Sequence, residues 1–477
     1  MLARLSSAKL LFILAFTLYF LLLGHKLMRI GIHGDGLEYA TVAMNMADDV
    51  GSFWKPYLDD HIHPVFHEHP PLVFWIQSIF FRIFGDGLYL ESFYGALVGL
   101  VILGCMALFW QRVRSDFQLP PVGSWWPMLL MVSLPIFTYL MQTNRLSCTY
   151  VILAILPTYA SYRSMIGERH LALFSLLSGV LIYLGFIAKG PVAFFTLAVP
   201  LIAWMALKAK FSRAVISTLL ALGAFALALS ATFYFFPDSQ DFWKGFWQAQ
   251  VVASLKSERA AGDTHWYLVE RWAAEMAVPV ALAGFFMILA RISWRQVRGN
   301  RQALFFLLIG LASSLPFLTS TRQHSRYIFH SYPFYVLSLA FAADRIAAGI
   351  ESVLSRRPRL RAAIVVIALG CFLAAFTSML YGKDRIRRDR IAFYEDIYMQ
   401  KMELPARITI STCPGAMILN DWLFADMMRV YKVSLTPQMG KKYLLIAKDS
   451  GCSVPEGYQR INREPTHKYM LYRKGPP

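Results

Sequence analysis

The chain is short of charged residues, which make up 16% of its 477 residues, whereas 57% are hydrophobic. A soluble domain has about a quarter charged residues and about half apolar ones. The deficit therefore excludes an ordinary soluble protein and predicts an integral membrane protein with several spans. Among the charged residues the acidic ones are fewer, with 29 Asp and Glu against 47 Lys and Arg, and the net charge is +18. Because the basic residues lie in short loops between apolar runs, they indicate membrane topology and not nucleic-acid binding.

Cysteine is also scarce, and five residues are too few for a disulfide scaffold. Cys105, Cys148 and Cys371 fall in apolar runs, which is typical of inert core thiols. Cys413 and Cys452 are the two cysteines of the polar tail. We expect them either to be bridged, if the tail is extracytoplasmic, or to remain two free thiols.

Long apolar runs predict a polytopic α-helical protein with about eleven membrane helices, and up to thirteen. The first run, Lys9–Met28, lacks a small-residue cleavage site, so we interpret it as a retained helix and not as a signal peptide. The other predicted spans are Leu88–Phe109, Ser124–Met141, Cys148–Met165, Leu171–Ala188, Val192–Leu207, Ala214–Phe236, Ala273–Ala290, Ala303–Leu318, Tyr327–Ala343 and Ala362–Leu380.

The loops predict the orientation of these spans. Loops on one side are basic and nearly free of acid, whereas the loop after the first span is rich in Asp and His. Because the positive side is cytoplasmic, the acidic loop is expected outside. An odd number of spans then places the N-terminus in the cytoplasm and the tail outside.

The polar segments predict two domains. Residues 1–381 form a membrane domain with outer loops at about 31–87 and 237–272, and residues 382–477 form a small extracytoplasmic α/β domain. In the first loop, Thr41–Asp49 has helical spacing, and Pro70–Phe84 is too short to span and predicts a helix in the membrane interface. In the tail, a helix is expected at Trp422–Tyr431. Strands are expected there at Arg407–Ser411, Lys432–Leu435, Lys442–Ala447 and Lys468–Tyr472.

The titratable residues expected on the outer face form two groups. The first loop carries carboxylates and imidazoles, namely Asp35, Glu38, Asp59, Asp60, His61, His63, His67 and His69. The other outer segments are mainly cationic and carry Lys189, Glu258, Arg259, His265, Arg322, His324 and Arg326. A carboxylate accepts the proton of an attacking hydroxyl, and cations or a metal stabilise the charge on a departing phosphate. This combination favours group transfer from a phosphate-linked donor.

Most of these residues also have a structural interpretation. Asp35 follows a span, where an aspartate is typically a helix cap. The four histidines from His61 to His69 are typical either of a metal site or of a solvated interface loop. Lys189-Gly190-Pro191 is equally compatible with a breaker turn that carries a snorkelling lysine, and Arg322 and Arg326 with lipid-headgroup contacts.

Three motifs together resemble the GT-C glycosyltransferases. They are Asp35-Gly36-Leu37-Glu38-Tyr39, then Glu68-His69-Pro70-Pro71-Leu72 with Trp75, then Ala188-Lys189-Gly190-Pro191-Val192. Over about residues 10–345, their order and spacing are similar to the branch of bacterial lipid A aminoarabinose transferases and dolichyl-phosphate-mannose–protein mannosyltransferases. The resemblance implies an inverting enzyme of the bacterial inner membrane that acts on the periplasmic side. It would transfer a sugar from a polyprenyl (undecaprenyl) phosphate to a hydroxyl of lipid A, lipopolysaccharide or another envelope glycan.

Two other functions remain open. One is a protein O-glycosyltransferase of the same superfamily. The other is a transporter or flippase for a lipid-linked sugar. Such proteins often show internal repeats and broken helices at the midplane. Neither feature is clear in this sequence, so this function is disfavoured. The expected partners are the lipid-linked donor, a lipid or glycan acceptor and membrane lipids, with no nucleic acid, and the protein is expected to be a monomer.

The resemblance also implies roles for individual residues. Asp35 is the expected general base, and Glu68 with His265 is the expected site of a divalent metal such as Zn, Mg or Mn. The donor phosphate is expected at His69, Lys189, Arg322 and Arg326. Further candidates are Glu38, Arg145, Glu258, Arg259 and His324.

The sequence departs from the family pattern at two places. The family commonly has Glu-Lys-Pro-Pro where this chain has Glu68-His69-Pro70-Pro71. A histidine is cationic only below about pH 6.5, so His69 either replaces the lysine as a phosphate contact or ligates a metal with Glu68. The loop before Cys148 usually bears an acid, but here it has Arg145 instead.

Overall fold

The structure is a computed structural model that describes residues 5–32, 34–167, 170–252, 266–293, 300–319, 323–383, 385–413 and 422–475. The chain divides into two compact units. The first unit comprises Met1–Leu27, Gly95–Gln142 and Leu146–Tyr381, and the second comprises Met28–Tyr94, Thr143–Arg145 and Gly382–Pro477. The first loop thus groups with the tail, whereas the prediction from sequence assigned it to the membrane domain.

The first unit is helical, and each predicted apolar run contains helix. Seven helices in the described part of the chain are long and apolar enough to cross a membrane, or eight if the bent pair Ser325–Ala342 and Asp344–Arg356 is one span. The seven are Ser7–Leu27, Leu90–Asp116, Leu171–Leu207, Phe211–Phe235, Tyr267–Leu289, Arg301–Leu318 and Pro358–Gly382.

For local reasons, the described residues contain fewer such helices than the eleven spans predicted. The predicted span Ser124–Met141 is broken into Trp125–Val132 and Pro135–Leu140, because a proline cannot donate the helical hydrogen bond. The two runs that flank Lys189 form one stretch, Leu171–Leu207, which includes a 3-10 segment from Gly190 to Ala198. Leu146–Ile166 is a helix of 21 residues, but its Tyr, Ser and Thr residues lower its hydropathy, so it is not one of the seven.

Small polar residues hold three helices of the first unit together. Ser161 lies 2.8 Å from Ser178, and Ser217 lies 2.7 Å from Ser164 and 2.9 Å from Ser175, all between hydroxyl oxygens. These bonds join Leu146–Ile166, Leu171–Lys189 and Phe211–Phe235. Small residues with interhelical hydrogen bonds are how helices associate in lipid, where apolar burial offers little drive.

The second unit contains two helices of the first loop, Asp35–Ala47 and Leu72–Phe84. It also contains a five-stranded sheet with the order β2-β1-β3-β5-β4. The strands are Thr409–Thr412, Ser434–Thr436, Tyr443–Ala447, Tyr458–Arg460 and Tyr469–Lys474, β1 to β5 in chain order. β1 pairs parallel with β2 and β3, whereas the other pairs are antiparallel. The small C-terminal α/β domain is therefore confirmed, with β4 as an unpredicted strand.

Two buried ion pairs fix the tail helix Leu423–Tyr431 inside this unit. Asp426 pairs with Arg390 at 2.8 Å, and Arg429 pairs with Glu91 at 2.6 Å. All four side chains are at most 5% exposed. A buried charge is tolerated only with a close partner, so these pairs define where the helix lies.

Cys413 follows β1 directly and is disulfide-bonded to Cys452. Their Cα atoms are 6.3 Å apart, within the range usual for a disulfide. Of the two alternatives left open by the sequence, the structure has the bridge. In the described part of the chain, Cys105, Cys148 and Cys371 are not disulfide-bonded, and only Cys148 among them is buried.

Candidate active site

Asp35 is the first residue of the helix Asp35–Ala47, and two glycines shape the turn before and after it. Gly34 has φ 61°, a left-handed conformation that favours glycine. A Cβ on Gly36 would overlap the backbone oxygen of Thr143. The Gly34-Asp35-Gly36 sequence is therefore required for the backbone to bring Asp35 against the segment Thr143–Arg145.

Arg145 forms an ion pair with Asp35. The Asp35 side chain is 30% exposed and that of Arg145 is 12% exposed. In the glycosyltransferases that the sequence resembles, an acid is usual in the loop that carries Arg145. The structure shows that this arginine supplies a counter-charge to the predicted base.

Two amides hold the Arg145 loop in place. Asn144 is left-handed, with φ 49°, and its amide nitrogen donates to the Gly36 carbonyl at 2.9 Å. Gln77 donates to the Asn144 side-chain oxygen at 2.9 Å, and both side chains are buried. Buried, satisfied amide networks rigidify a site, so these residues position Arg145 against Asp35.

Glu38 lies one helical turn after Asp35 and is the second carboxyl of the site. Burial, followed by the nearby charges of Glu68 and Asp35, raises the pKa of Glu38 to about 8. A hydrogen bond from the Trp422 side chain and the charge of Arg145 act in the opposite direction. We refer to Asp35, Glu38, Glu68, Arg145 and Trp422 as the acidic cluster.

Glu38→Gln is expected to make protein stability less sensitive to pH. Because the pKa of Glu38 is higher in the folded state than its ordinary value of 4.5, its contribution to stability is complete below pH 4.5 and is lost as the pH rises to about 8. The melting temperature of the variant in detergent should therefore exceed that of the wild type at pH 8.5 by more than at pH 5. Glu456→Gln, at an exposed position of the tail, is the control. An equal difference at both pH values would contradict the assignment.

His69 stands where the glycosyltransferases that the sequence resembles commonly have a lysine, and its Nε2 is hydrogen-bonded to the Tyr39 hydroxyl at 2.8 Å. The two rings pack edge to face with centroids 5.3 Å apart. Oε1 of the preceding residue, Glu68, lies 3.8 Å from Nε2 of His63. The histidine is thus held by the tyrosine of the first motif, and its predicted contact with phosphate remains a prediction.

A metal site cannot be assembled from the described residues alone. Among them, no three His, Cys, Asp or Glu side chains form a group that could hold a metal ion. His61, His63, His67 and His69 are all described, and no three of them belong to such a group. Glu68 has one histidine nearby, and the predicted second ligand, His265, lies outside the described residues.

Asp59, Asp60 and His61 have structural contacts in the second unit. One carboxylate oxygen of Asp59 accepts from the backbone nitrogens of His61 at 2.8 Å and Ile62 at 2.5 Å. The Asp60 carboxylate accepts from Tyr57 at 2.7 Å and from Thr409 at 2.9 Å. His61 contacts Thr436. Asp60 and His61 therefore anchor the first loop on β1 and β2, and Asp59 shapes the turn within the loop.

Lys189 lies in the first unit, at the last position of the helix Leu171–Lys189. Its Nζ donates to the Ser147 hydroxyl at 2.9 Å and lies 5.3 Å from the centre of the Tyr150 ring. Arg326 and His330 are close enough to interact with its charge. We refer to these five residues as the lysine cluster. Because the hydrogen-bond partner of Lys189 is a neutral serine, that contact leaves the positive charge uncompensated.

The remaining predicted residues are only partly described. His324 is described, and its ring packs edge to face against Tyr327 with centroids 5.3 Å apart. Four predicted residues lie outside the described ranges, namely Glu258, Arg259, His265 and Arg322.

Several site residues were missed at the sequence level. Trp422, Gln77 and Asn144 reach the acidic cluster through contacts distant in sequence, and none of them carries a local signal. Tyr39 was quoted within the first motif without a role. Ser147 lies directly before Cys148 in the loop that lacks the usual acid, so that departure was the one available signal for Ser147.

Comparison with known proteins adds to this geometry. Residues 68–235 match the family model described as dolichyl-phosphate-mannose-protein mannosyltransferase. The matched range includes the Glu68 and Lys189 motifs and excludes Asp35. No curated protein matches the chain in sequence.

The fold matches solved structures over nearly the whole chain. ArnT from Cupriavidus metallidurans bound to undecaprenyl phosphate superposes with a TM-score of 0.64 at 13% identity, and 96% of each chain is covered. The apo state of the same protein gives 0.63 at 13% identity with the same coverage. The oligosaccharyltransferase AglB from Archaeoglobus fulgidus gives 0.44 at 12% identity, covering 92% of this chain and 69% of that one.

The chain therefore has the fold of ArnT. Its resemblance to the aminoarabinose transferase and protein mannosyltransferase branch is confirmed by the fold and by the family model over residues 68–235.

Proposed function

We propose that this protein is a membrane glycosyltransferase that transfers a sugar from a polyprenyl-phosphate donor to an acceptor hydroxyl. The observation that carries the proposal is the match of residues 68–235 to a family of dolichyl-phosphate-mannose-dependent transferases, within a chain that has the ArnT fold. One of the matching ArnT structures is bound to undecaprenyl phosphate, which supports the same class of lipid as the donor here.

The reaction is proposed on the periplasmic face of a bacterial inner membrane. Basic loops and apolar helices support a multi-pass protein with a cytoplasmic N-terminus. The disulfide between Cys413 and Cys452 supports a periplasmic tail, because disulfides persist in oxidising compartments.

The proposed chemistry is a single inverting displacement. The acceptor oxygen bonds to the anomeric carbon, the bond from that carbon to the phosphate oxygen breaks, and the hydroxyl proton passes to Asp35. Asp35 is partly exposed and paired with Arg145, which leaves it accessible while its charge is balanced. General base catalysis by a positioned carboxylate contributes about 10²–10⁴-fold.

The lysine cluster is proposed to bind the donor phosphate and to stabilise the charge that develops on it as the sugar leaves. A metal, if bound, would supply additional positive charge at the phosphate, and Glu68 is the described residue that would hold it. Because the described residues do not complete a metal site, no step is assigned to a metal.

Lys189→Met is expected to raise the KM for the donor by roughly 10–100-fold, because a hydrogen bond to a charged group contributes about 1.5–3 kcal/mol. The variant keeps the length of the side chain and removes its charge. Steady-state kinetics with varied donor would measure this effect. Lys208→Met, at an exposed lysine of the same unit, should leave the KM unchanged. A donor KM within twofold of the wild type for Lys189→Met would exclude the proposed phosphate contact.

The acceptor is proposed to be lipid A, lipopolysaccharide or another envelope glycan. A protein hydroxyl is the second candidate, because the matching family model is described as a protein mannosyltransferase. Mass spectrometry of glycolipids and of periplasmic proteins from a deletion strain would separate the two. Loss of a sugar from the glycolipid fraction supports the first acceptor, and loss from a protein supports the second.

The proposed activity can be tested with the purified chain in proteoliposomes. The probe is undecaprenyl phosphate that carries a radiolabelled sugar, mannose or aminoarabinose, supplied with and without lipid A. Transferase activity predicts that label moves to the acceptor and that undecaprenyl phosphate is released. If the labelled lipid crosses the bilayer intact and no label is transferred, the protein is a transporter and the proposal is wrong.

A further inference from the structure

Trp422 has an unusual backbone for a bulky residue. It is left-handed, with φ 48° and ψ 25°, immediately before the helix Leu423–Tyr431. Non-glycine residues rarely adopt this region, and such conformations persist only where the surroundings enforce them. Strained residues of this kind cluster at functional sites.

The helix that follows Trp422 explains how the conformation is maintained. The backbone nitrogens of Ala425 and Asp426 each donate to the Trp422 carbonyl at 3.0 Å. The helix itself is fixed by the buried pairs of Asp426 with Arg390 and of Arg429 with Glu91. Trp422 is therefore held from its C-terminal side by four buried charges.

The indole of Trp422 is directed at the predicted catalytic loop. Its side chain is hydrogen-bonded to Glu38, and because an indole nitrogen can only donate, the carboxyl is the acceptor. A Cβ built on Gly34 would lie 3.7 Å from Cζ2 of Trp422 and 3.6 Å from Nη2 of Arg145. The six-membered ring thus adjoins the residue before Asp35, and its N–H reaches the carboxyl one turn later.

We propose that Trp422 is a positioning residue of the acidic cluster: its indole N–H holds the Glu38 carboxyl beside Asp35, and its ring fixes the turn at Gly34. The tail would then complete the site where the acceptor hydroxyl is activated, in addition to being a folded domain. The inference rests on the proposed transferase function, and it adds a residue that neither the family model nor the three sequence motifs include.

The indole N–H and the aromatic ring of Trp422 contribute separately to the geometry of the acidic cluster. A phenylalanine at position 422 would keep an aromatic ring against Gly34 but could not donate to Glu38. Substrate binding in the lysine cluster does not involve Trp422, so loss of the N–H should affect turnover and not the KM for the donor. If Trp422 had a purely structural role, its substitution would lower the amount of folded enzyme and would not lower the kcat of the folded enzyme selectively over the KM for the donor.

The test is the activity of Trp422→Phe in proteoliposomes with radiolabelled undecaprenyl-phosphate sugar and lipid A. We expect kcat to fall by about 10–100-fold while the KM for the donor changes less than about twofold, as for loss of one hydrogen bond to an ionisable group. Tyr431→Phe is the matched control. It removes a hydroxyl at the end of the same helix, whose contact is the Ile397 carbonyl at 3.2 Å, and it should have wild-type kinetics.

A double-mutant cycle distinguishes action through Glu38 from a general defect. In a Glu38→Ala background the indole has no acceptor, so adding Trp422→Phe should lower kcat by less than about twofold. An equal loss in both backgrounds, or a Trp422→Phe enzyme with wild-type kcat, would overturn the inference. If the single variant does not fold, Glu38→Asp withdraws the carboxyl from the indole instead, and full kcat in that variant overturns it as well. Absence of transfer by the wild type would refute the proposed function itself, a result independent of Trp422.

Discussion

Asp35→Asn is expected to reduce kcat by about 10²–10⁴-fold, a loss of about 3–5 kcal/mol of transition-state stabilisation. Asparagine has nearly the same size and can still contact Arg145, but it cannot take the proton of the acceptor hydroxyl. The effect should appear in kcat with little change in the KM for the donor, because the proposed phosphate contacts are made by other residues. Turnover of the purified variant with labelled undecaprenyl-phosphate sugar measures it.

Asp49→Asn is the matched control for this experiment. Asp49 follows the same helix, is paired with Arg82 at 2.5 Å and has an 84% exposed side chain. Its substitution should leave kcat unchanged. If Asp35→Asn kept kcat within tenfold of the wild type, Asp35 would not be the base, and Glu38 would become the first carboxyl to test.

The second large effect concerns stability. Glu91→Ala should lower the free energy of unfolding by about 3–5 kcal/mol, because it leaves the buried guanidinium of Arg429 without its partner. Both side chains are at most 5% exposed, and they lie 2.6 Å apart. Arg429 also donates to the backbone oxygens of Asp86 and Gly87, but carbonyls do not balance its charge. A urea titration of the protein in detergent micelles would give the free energy.

Two further variants decide what the buried pair contributes. Asp49→Ala breaks the exposed pair with Arg82 and should cost less than about 1 kcal/mol. Replacing both Glu91 and Arg429 by apolar residues, as Glu91→Leu with Arg429→Met, should recover most of the stability lost in Glu91→Ala. A Glu91→Ala protein as stable as the wild type would show that Arg429 finds compensation elsewhere.

The regular elements were predictable because each leaves a local pattern. Apolar runs located the membrane helices, and the short apolar run within Lys442–Ala447 located β3. The apolar pattern failed to predict where a single residue interrupts a helix, as Pro135 does. It also failed for β4, where Tyr458–Arg460 is a short strand with no buried residue in its burial pattern.

The site was predictable only as far as its motifs extend. Asp35 and Lys189 stand within recognisable motifs, and Arg145 was noted as a departure, but its partner was not foreseen. The partners Trp422 and Asn144 are set by tertiary packing and by left-handed backbone conformations, which a single sequence does not reveal. Residues with a role at the acidic cluster are thus spread over three chain segments, one of which spans only Thr143–Arg145.

That dispersal has a consequence for biosynthesis. Asp35 leaves the ribosome early, whereas Trp422 and Arg429 are made near the end, roughly 20–80 s later at 5–20 residues per second. During this interval Glu91 lacks its arginine and Glu38 lacks its indole, even though most membrane helices have already been inserted. Ribosomes that stall before residue 422 would therefore yield a chain that has inserted but has not assembled the acidic cluster, so insertion and assembly of this cluster are separate in time.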